Sequence, residues 1–344
     1  MCFIKYYICE STRKVYLKMS FIAKAEKEMA KTQTRKYKGF KDFYVKNRSQ
    51  IPLTAMSLPA VILVFMFSYM PMFGIILAFK DFNVREGIFG SPWVGMKNFN
   101  FLFGYPDLKI ILRNTLGYNI MFIILGAVIP VTLAMLLSQL RNKRVSKVYQ
   151  TVMMLPNFMS WVVVSYIVFA FLSFRLGIVN TMLLKGLGKA PVDWYSETKL
   201  WPFLIIFLNV WKSFGYNTVV YLAAIAGIDG ALYEAAAIDG ATRRQQMRYI
   251  TLPELSNIVI IMMILGIGRI MTSDFGLFYN VPMEKGALFP VTNVISTFVY
   301  RSLKVNGDIG MSSAAGFFQS VIGFVLVVLT NGIVKRIDES KSLF

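Results

Sequence analysis

Long apolar stretches alternate with charged or polar segments along the whole of this 344-residue chain. An α-helix needs about 20 mostly apolar residues to cross the hydrocarbon core of a bilayer. Six stretches reach that length, and they lie at residues 58–79, 115–140, 151–174, 201–227, 255–278 and 313–334. The pattern therefore predicts an all-α integral membrane protein with six transmembrane helices.

The segments between these stretches predict an orientation in the membrane. Residues 1–57 are strongly basic, and segment 141–150 contains basic residues without any acid. Because cytoplasmic segments of membrane proteins carry an excess of Lys and Arg, we expect both in the cytoplasm. The tail 335–344 and the loop 228–254 then share that side, so both termini are cytoplasmic and residues 58–334 form one six-span domain. The other connections become external, and these are residues 80–114, 175–200 and 279–312.

Composition narrows the possible functions. The chain is 56% hydrophobic and 16% charged, whereas soluble domains average about 25% charged residues. It contains no histidine, so it has no imidazole for acid–base catalysis or metal binding. Cys2 and Cys9 have no spacing that is typical of a metal site or a disulfide framework. The net charge of +19 is explained by basic segments beside lipid, and we expect no nucleic-acid partner.

The loop 233–253, which reads YEAAAIDGATRRQQMRYITLP, predicts two short helices joined at a glycine. Residues 233–239 are rich in helix formers, Gly240 can adopt a positive φ, and Thr242 can cap the second helix. Pro253 is expected to end that second helix. Its partly apolar face, formed by Met247, Ile250 and Leu252, suits either docking on a cytoplasmic partner or the lipid surface.

Seven positions of this loop resemble the EAA signature of binding-protein-dependent ABC importer permeases, in which EAA, three residues, G, nine residues and I-x-L-P follow one another. The matching residues are Glu234, Ala235, Ala236, Gly240, Ile250, Leu252 and Pro253. The resemblance implies the type I importer permease fold, with a loop that docks on the ATPase subunits and transmits their closure. Three further loop residues are expected to take part in this coupling: Asp239, Arg243 and Arg244.

The chain from about residue 40 onward is similar to oligosaccharide and polysaccharide permeases of the LplB and alginate type. The similarity lies in segments such as SYMPMFGIILAFKDFN, RNTL, LPNFMSWVVV, GIVN and YLAAIAGID. Asn157 stands where related permeases often carry histidine. The resemblance implies a bacterial cytoplasmic-membrane subunit that imports oligosaccharides.

The chain lacks the phosphate-binding signature G-x-x-x-x-G-K-[ST], which cradles the phosphates of ATP. It is therefore expected to be a non-catalytic subunit without a cofactor of its own, with ATP and Mg²⁺ bound by a partner. Its external loops are too short to hold a solute-binding domain. The expected partners are a homologous second permease, a dimer of ATP-binding subunits, an extracytoplasmic solute-binding protein, the oligosaccharide and membrane lipid.

Lys212 and Arg269 are the basic residues well inside predicted spans, and Arg269 falls about two-thirds of the way along the fifth span. A charged side chain there costs about 2.5–3.5 kcal/mol on insertion and usually faces a cavity or a partner. Alignment with related sugar permeases through the EAA loop places Gly266, Arg269, Ile270 and Ser273 on sugar-facing positions, and Tyr216 where an aromatic stacks. Arg269 suits an acidic sugar. Further candidates are Trp211, Asn217 and Asp274.

Other functions remain open at this point. Amino-acid or peptide import is an alternative within the same class of importers. A secondary transporter is expected to show inverted repeats, and a polysaccharide-building membrane enzyme is expected to show clustered carboxylates on a cytoplasmic loop.

Overall fold

A computed structural model describes residues 51–339 and residue 342. Within these residues the regular elements are helical, apart from a single antiparallel bridge between Lys80 and Trp93. Most of the predicted basic tail, with Cys2 and Cys9, lies outside the described residues. The all-α prediction is confirmed.

The described residues up to Met72 belong to a compact unit of their own. Helix α1 (Ile51–Val64) continues into a π-helical turn (Phe65–Tyr69) and then into a 3-10 helix (Met70–Phe79). The helix begins at Ile51, not at residue 58 as predicted, because the uncharged segment 51–57 prolongs the apolar stretch. Its apolar side chains are exposed along its length, as lipid contact requires.

The second unit, from Phe73 onward, contains eleven labelled helices. They are α2 (Lys97–Phe103), α3 (Leu108–Ser138), α4 (Lys143–Met154), α5 (Trp161–Leu172), α6 (Trp201–Ala226), α7 (Gly230–Ile238), α8 (Arg243–Gln246), α9 (Leu252–Gly268), α10 (Phe275–Asn280), α11 (Ile295–Lys304) and α12 (Ile309–Ile337). Shorter helical turns occupy Gly87–Gly90, Leu155–Phe158, Val179–Leu184, Met247–Thr251, Gly286–Leu288 and Phe289–Thr292.

Five helices of the described residues are long and apolar enough to cross a membrane, and there are six if α4 and α5 count as one broken span. The predicted second, fourth and sixth spans correspond to α3, α6 and α12 within a few residues at most ends.

The third predicted span, 151–174, is wrong as a single helix. The segment from Lys143 to Phe158 and helix α5 meet at an angle of 93°. The break follows from Pro156, which cannot donate a backbone hydrogen bond, and from Ser160, whose hydroxyl accepts from the N–H of Val163 at the start of α5. Lys212 stabilises the break, because its ammonium donates to the carbonyl of Asn157 (2.9 Å) and lies 5.3 Å from the ring centre of Trp161.

Pro253 does not end the second helix of the EAA loop. It lies in the first turn of α9, and residues 243–268 form one continuous helix. A proline inside a helix clashes with the carbonyl four residues earlier, here that of Tyr249. The wider π-helical turn Met247–Thr251, in which the N–H of Leu252 bonds to Met247, accommodates it.

The fifth predicted span, 255–278, is also shorter than expected, because α9 ends at Gly268. Arg269 is the residue that follows the helix, so it lies at its end and not two-thirds of the way along. Residues 269–274 are not helical, and side chains from other elements bind their carbonyls: Gln319 donates to Met271 (2.7 Å) and Ser296 donates to Ser273 (2.8 Å).

The core of the second unit lies where the helices cross. A large cluster around Trp201 and Phe278 joins α3, α5, α6 and α10, and a smaller one around Tyr221 and Leu255 joins α3, α6 and α9. The RNTL segment of α3 bonds to a distant part of the chain, because the amide of Asn114 donates to the carbonyls of Pro290 and Asn293. Thr115 accepts from the N–H of Ile295.

Gly215 permits the closest approach in this packing, since a Cβ atom there would lie 1.8 Å from the carbonyl oxygen of Met153. We expect Gly215→Ala to lower the Tm of the detergent-purified chain by roughly 5 °C, since overpacking costs about 1–3 kcal/mol and each kcal/mol is about 2–4 °C in a domain of this size. Gly117→Ala is the control, because a Cβ atom at Gly117 meets nothing within 4 Å. Equal Tm values for the two variants would contradict the prediction.

Candidate functional site

The EAA loop joins the end of α6 to the start of α9. Asp229 begins α7 by accepting a hydrogen bond from the N–H of Ala231 (3.0 Å). Gly240 has a φ of +79°, a conformation that disfavours residues with a Cβ atom. Thr242 then caps α8 through a capping box with Gln245. The helix–glycine–helix prediction for this loop is confirmed.

One hydrogen bond joins the two helical parts of the loop, and a second joins the loop to α3. The hydroxyls of Tyr233 and Thr251 are 2.9 Å apart, which connects α7 to the π-helical turn. Arg243 donates to the carbonyl of Gln139 at the end of α3 (3.2 Å). The segments on both sides of the bend at Gly240 are therefore held by hydrogen bonds.

Most of the predicted coupling residues are exposed on the surface of the loop. Glu234, Ala235, Asp239, Gly240, Arg243, Arg244, Leu252 and Pro253 are exposed, whereas Ala236 and Ile250 are half-buried. The most exposed apolar residues are Ile238 (86%) and Tyr249 (69%), which the sequence analysis did not single out. Ile238 could have been identified from the sequence, because it is an apolar residue directly before the Asp239–Gly240 turn.

A cavity of about 280 Å³ lies between α3, α6 and α9. Its apolar wall includes Phe122, Val220 and Met262. Polar groups come from three helices or their ends, and they are Asn119, Asn217, Arg269 and Thr272. An apolar wall with a few convergent polar groups is typical of a small-molecule site.

Arg269 supplies the charge of this cavity. Its side chain is exposed and makes no hydrogen bond or ion pair with any residue that the structure describes. The nearby acid Asp274 binds Trp161, Gly276 and Leu277 instead. The guanidinium is therefore available to a ligand or to another chain.

The structure brings together only some of the predicted solute-site residues. Arg269, Asn217 and Gly266 line the cavity, whereas Tyr216 is 52% exposed and lies outside its lining. Trp211 and Ile270 pack against apolar clusters. Ser273 is buried and accepts a hydrogen bond from the amide of Asn119 (3.0 Å). Its place is behind the cavity wall.

Asp274 has a structural position at the break after α9. Its carboxylate accepts from the N–H groups of Gly276 and Leu277, which begins α10, and from the indole N–H of Trp161 at 2.6 Å. One side chain thus connects α10 to the start of α5, next to Lys212.

Comparison with known proteins gives consistent matches over this architecture. Residues 126–339 match the family described as binding-protein-dependent transport system inner membrane component. The chain is 34% identical to the polygalacturonan/rhamnogalacturonan transport system permease protein YteP of Bacillus subtilis, over 87% of this chain and 92% of that protein. It is 33% identical to protein LplB of Bacillus subtilis, over 82% and 88% of the two chains.

A solved structure shares the fold. It is a chain of a bacterial alginate ABC transporter in complex with an alginate pentasaccharide-bound periplasmic protein. It has a TM-score of 0.75 and 31% sequence identity, and the match covers 87% of this chain and 98% of that one. The expected importer permease fold is confirmed.

Asp274 allows a test of the break after α9. We expect Asp274→Ala to destabilise the detergent-purified chain by about 2 kcal/mol, of which about 1 is the lost helix cap and about 1 the lost bond from Trp161. Asp308→Ala is the control, because Asp308 caps α12 through Met311 and should cost only about 1 kcal/mol. Denaturation followed by tryptophan fluorescence measures both. Equal losses would show that the bond from Trp161 contributes nothing.

Proposed function

Because this chain belongs to the family of binding-protein-dependent transport system inner membrane components, we propose that it is the permease subunit of an ATP-driven importer of oligosaccharides. The relatives named for polygalacturonan, rhamnogalacturonan and alginate support a saccharide over an amino acid or a peptide. The uronate units of such glycans carry carboxylates. Arg269 lines the cavity between α3, α6 and α9, which we call the central cavity, and its guanidinium has no partner in the described part of the chain.

One observation carries the proposal: the EAA loop and the cavity are joined by one continuous helix. The continuous helix of residues 243–268 starts at Arg243 in the loop and ends beside Arg269 at the cavity. At about 1.5 Å per residue it spans roughly 39 Å. A displacement of α8 by a docked ATPase subunit therefore tilts or shifts the cavity wall without any signal through side chains.

The loop has the surface that such docking needs. Ile238 and Tyr249 expose apolar area on the loop, and Glu234, Arg244 and Arg248 are exposed charged residues of the same loop. In this proposal the loop faces the cytoplasm, together with both termini, and the ATP-binding dimer supplies ATP, Mg²⁺ and hydrolysis. This chain supplies the pathway.

The remaining partners are inferred from two things that this chain does not supply: the other side of the cavity and the delivery of the saccharide. The cavity has walls only from α3, α6 and α9, and a homologous second permease would close its other side. An extracytoplasmic binding protein would deliver the saccharide, as supported by the periplasmic protein in the alginate transporter complex. Asn217 offers an amide to a sugar hydroxyl, and Arg269 offers a bidentate site for a carboxylate.

Gly240 tests the coupling role. A β-branched residue at its positive φ is strained by about 1–2 kcal/mol, so we expect Gly240→Val to lower uptake and binding-protein-stimulated ATP hydrolysis by about tenfold while the complex still assembles. Gly230→Val is the control, because Gly230 lies at the start of α7 without a positive φ and with open space around it. Transport by Gly240→Val at the control's rate would exclude this coupling role.

Arg269 tests the saccharide site. Arg269→Met removes charge-assisted hydrogen bonds worth about 1.5–3 kcal/mol, so we expect the assembled complex to bind oligogalacturonate roughly 10- to 100-fold more weakly. Arg336→Met serves as the control, since Arg336 is exposed at the end of α12. If Arg269→Met instead prevents assembly with the second permease, the guanidinium pairs with that subunit and not with solute.

A further inference from the structure

A second and larger cavity lies near the N-terminal end of α6, next to the segment that precedes that helix. The EAA loop follows the C-terminal end of the same helix, so the two lie at opposite ends of α6. The volume of this cavity is about 730 Å³, within the range of about 300–1,000 Å³ that small-molecule sites occupy. Three segments provide the wall, and they are residues 173–176, 193–196 and 285–287.

Asn180 holds two of these segments together. It is 5% exposed, and its amide donates to the carbonyls of Phe174 (3.0 Å) and Val192 (2.9 Å). Its oxygen accepts from the N–H of Val192 and from the indole of Trp194 (2.9 Å). The GIVN segment that ends at Asn180 therefore fixes the wall of the cavity before any ligand arrives.

The third segment is held in an unfavourable conformation. Met283 and Glu284 have φ values of 54° and 52°, and a non-glycine residue in such a region costs of order 1–3 kcal/mol. An ion pair between Glu284 and Arg301 (3.2 Å) supports it, and Arg301 also stacks over the ring of Phe289 (4.3 Å). The result is that Lys285 is presented at the cavity.

The cavity carries a net positive charge. Arg175 and Lys285 both line it, both are exposed, and neither has an acidic partner among residues 51–339. Asp193 is the acid of the lining, and its carboxylate accepts a hydrogen bond from the hydroxyl of Ser196 (2.7 Å). Two cations against one acid favour an anionic ligand.

Tyr195 is part of the wall, and its ring is fixed by its neighbours. Its ring is packed between Phe169 and Trp201, at 5.8 and 5.1 Å. Its hydroxyl is the one buried side-chain polar atom of the described residues that has no hydrogen-bond partner, a condition that costs about 1–3 kcal/mol. Burial raises the pKa of Tyr195 to about 12, so the hydroxyl keeps its proton and remains a donor.

We propose that this cavity is a second saccharide site, which takes a uronate unit of an acidic oligosaccharide before it reaches Arg269. Arg175 and Lys285 bind the carboxylate, and the exposed rings of Phe169 and Phe174 contact the apolar face of the sugar. This inference rests on the proposed importer function, because an oligosaccharide is delivered to this cavity only if the chain is part of such an importer.

The test uses the assembled importer in nanodiscs without its binding protein, in an Arg269→Met background that weakens the central cavity. The probes are oligogalacturonate and the same oligomer with its carboxyls methyl-esterified. We expect oligogalacturonate to bind about tenfold more tightly than its ester, a preference of about 1.4 kcal/mol. The double variant Arg175→Gln/Lys285→Gln should abolish that preference. The matched control Lys189→Gln/Lys199→Gln removes two exposed charges outside the cavity and should retain it.

Tyr195→Phe is a second control within the cavity wall. Loss of a buried, unpaired hydroxyl should leave the Tm unchanged or raise it, and it should leave the affinity for both oligomers unchanged. Equal affinity of the Arg269→Met parent for the two oligomers would overturn the site.

A separate measurement identifies the source of the carboxylate. If the double variant weakens docking of the saccharide-free binding protein and leaves oligogalacturonate affinity unchanged, the cations bind a protein side chain and the proposal is wrong. Uptake by the wild-type complex with its binding protein tests the importer function by itself. Uptake that persists beside a failed binding test therefore rejects only the second site.

Discussion

Backbone polar groups inside a bilayer have no water to bind, so each must find a partner within the protein. Helices α5 and α9 both adjoin breaks, at residues 155–160 and 269–274, where carbonyls lose their helical partners. Lys212 and Gln319 bind the carbonyls of Asn157 and Met271, and both side chains come from other long helices. Satisfying these two breaks joins α6 and α12 to the interrupted segments, and the central cavity opens beside the second one.

This requirement explains why the spans were only partly predictable. Apolar length alone located α3, α6 and α12, because those helices run unbroken through the membrane. The break at Pro156 has the same apolar composition as an intact span, and the lysine that stabilises it is 55 residues away. Local signals succeeded in the EAA loop, where Gly240 turns the chain and Thr242 caps the next helix beside their own positions. Pro253 was misread because the π-helical turn before it is not visible in composition.

The contrast between regular helix and break also explains where the predicted solute-site residues lie. Gly266 and Asn217 lie on regular helix and line the cavity, whereas Tyr216, the neighbour of Asn217 on α6, lies outside the lining although the alignment placed it at the solute. Beyond Gly268 the helical period no longer applies, so Ser273 turns behind the cavity wall and Asp274 caps α10. Arg269 reaches the cavity from the end of its helix. Asn119 was not predicted, because a single amide in an apolar stretch resembles a packing residue until its neighbours are known.

A transport pathway also needs sites that hold solute without trapping it. Arg269, Arg175 and Lys285 are all exposed, so water weakens each contact with a carboxylate relative to a buried pair. In the proposed pathway an acidic saccharide passes from one solvated cationic site to another and is never bound by a desolvated ion pair. Only the central site lies at the end of the helix that begins in the EAA loop. In the proposed importer, closure of the ATPase subunits acts on the central cavity through this helix. The second cavity lies apart from it and is held by the hydrogen bonds of Asn180 and the ion pair of Arg301, and in this proposal it selects the solutes that enter.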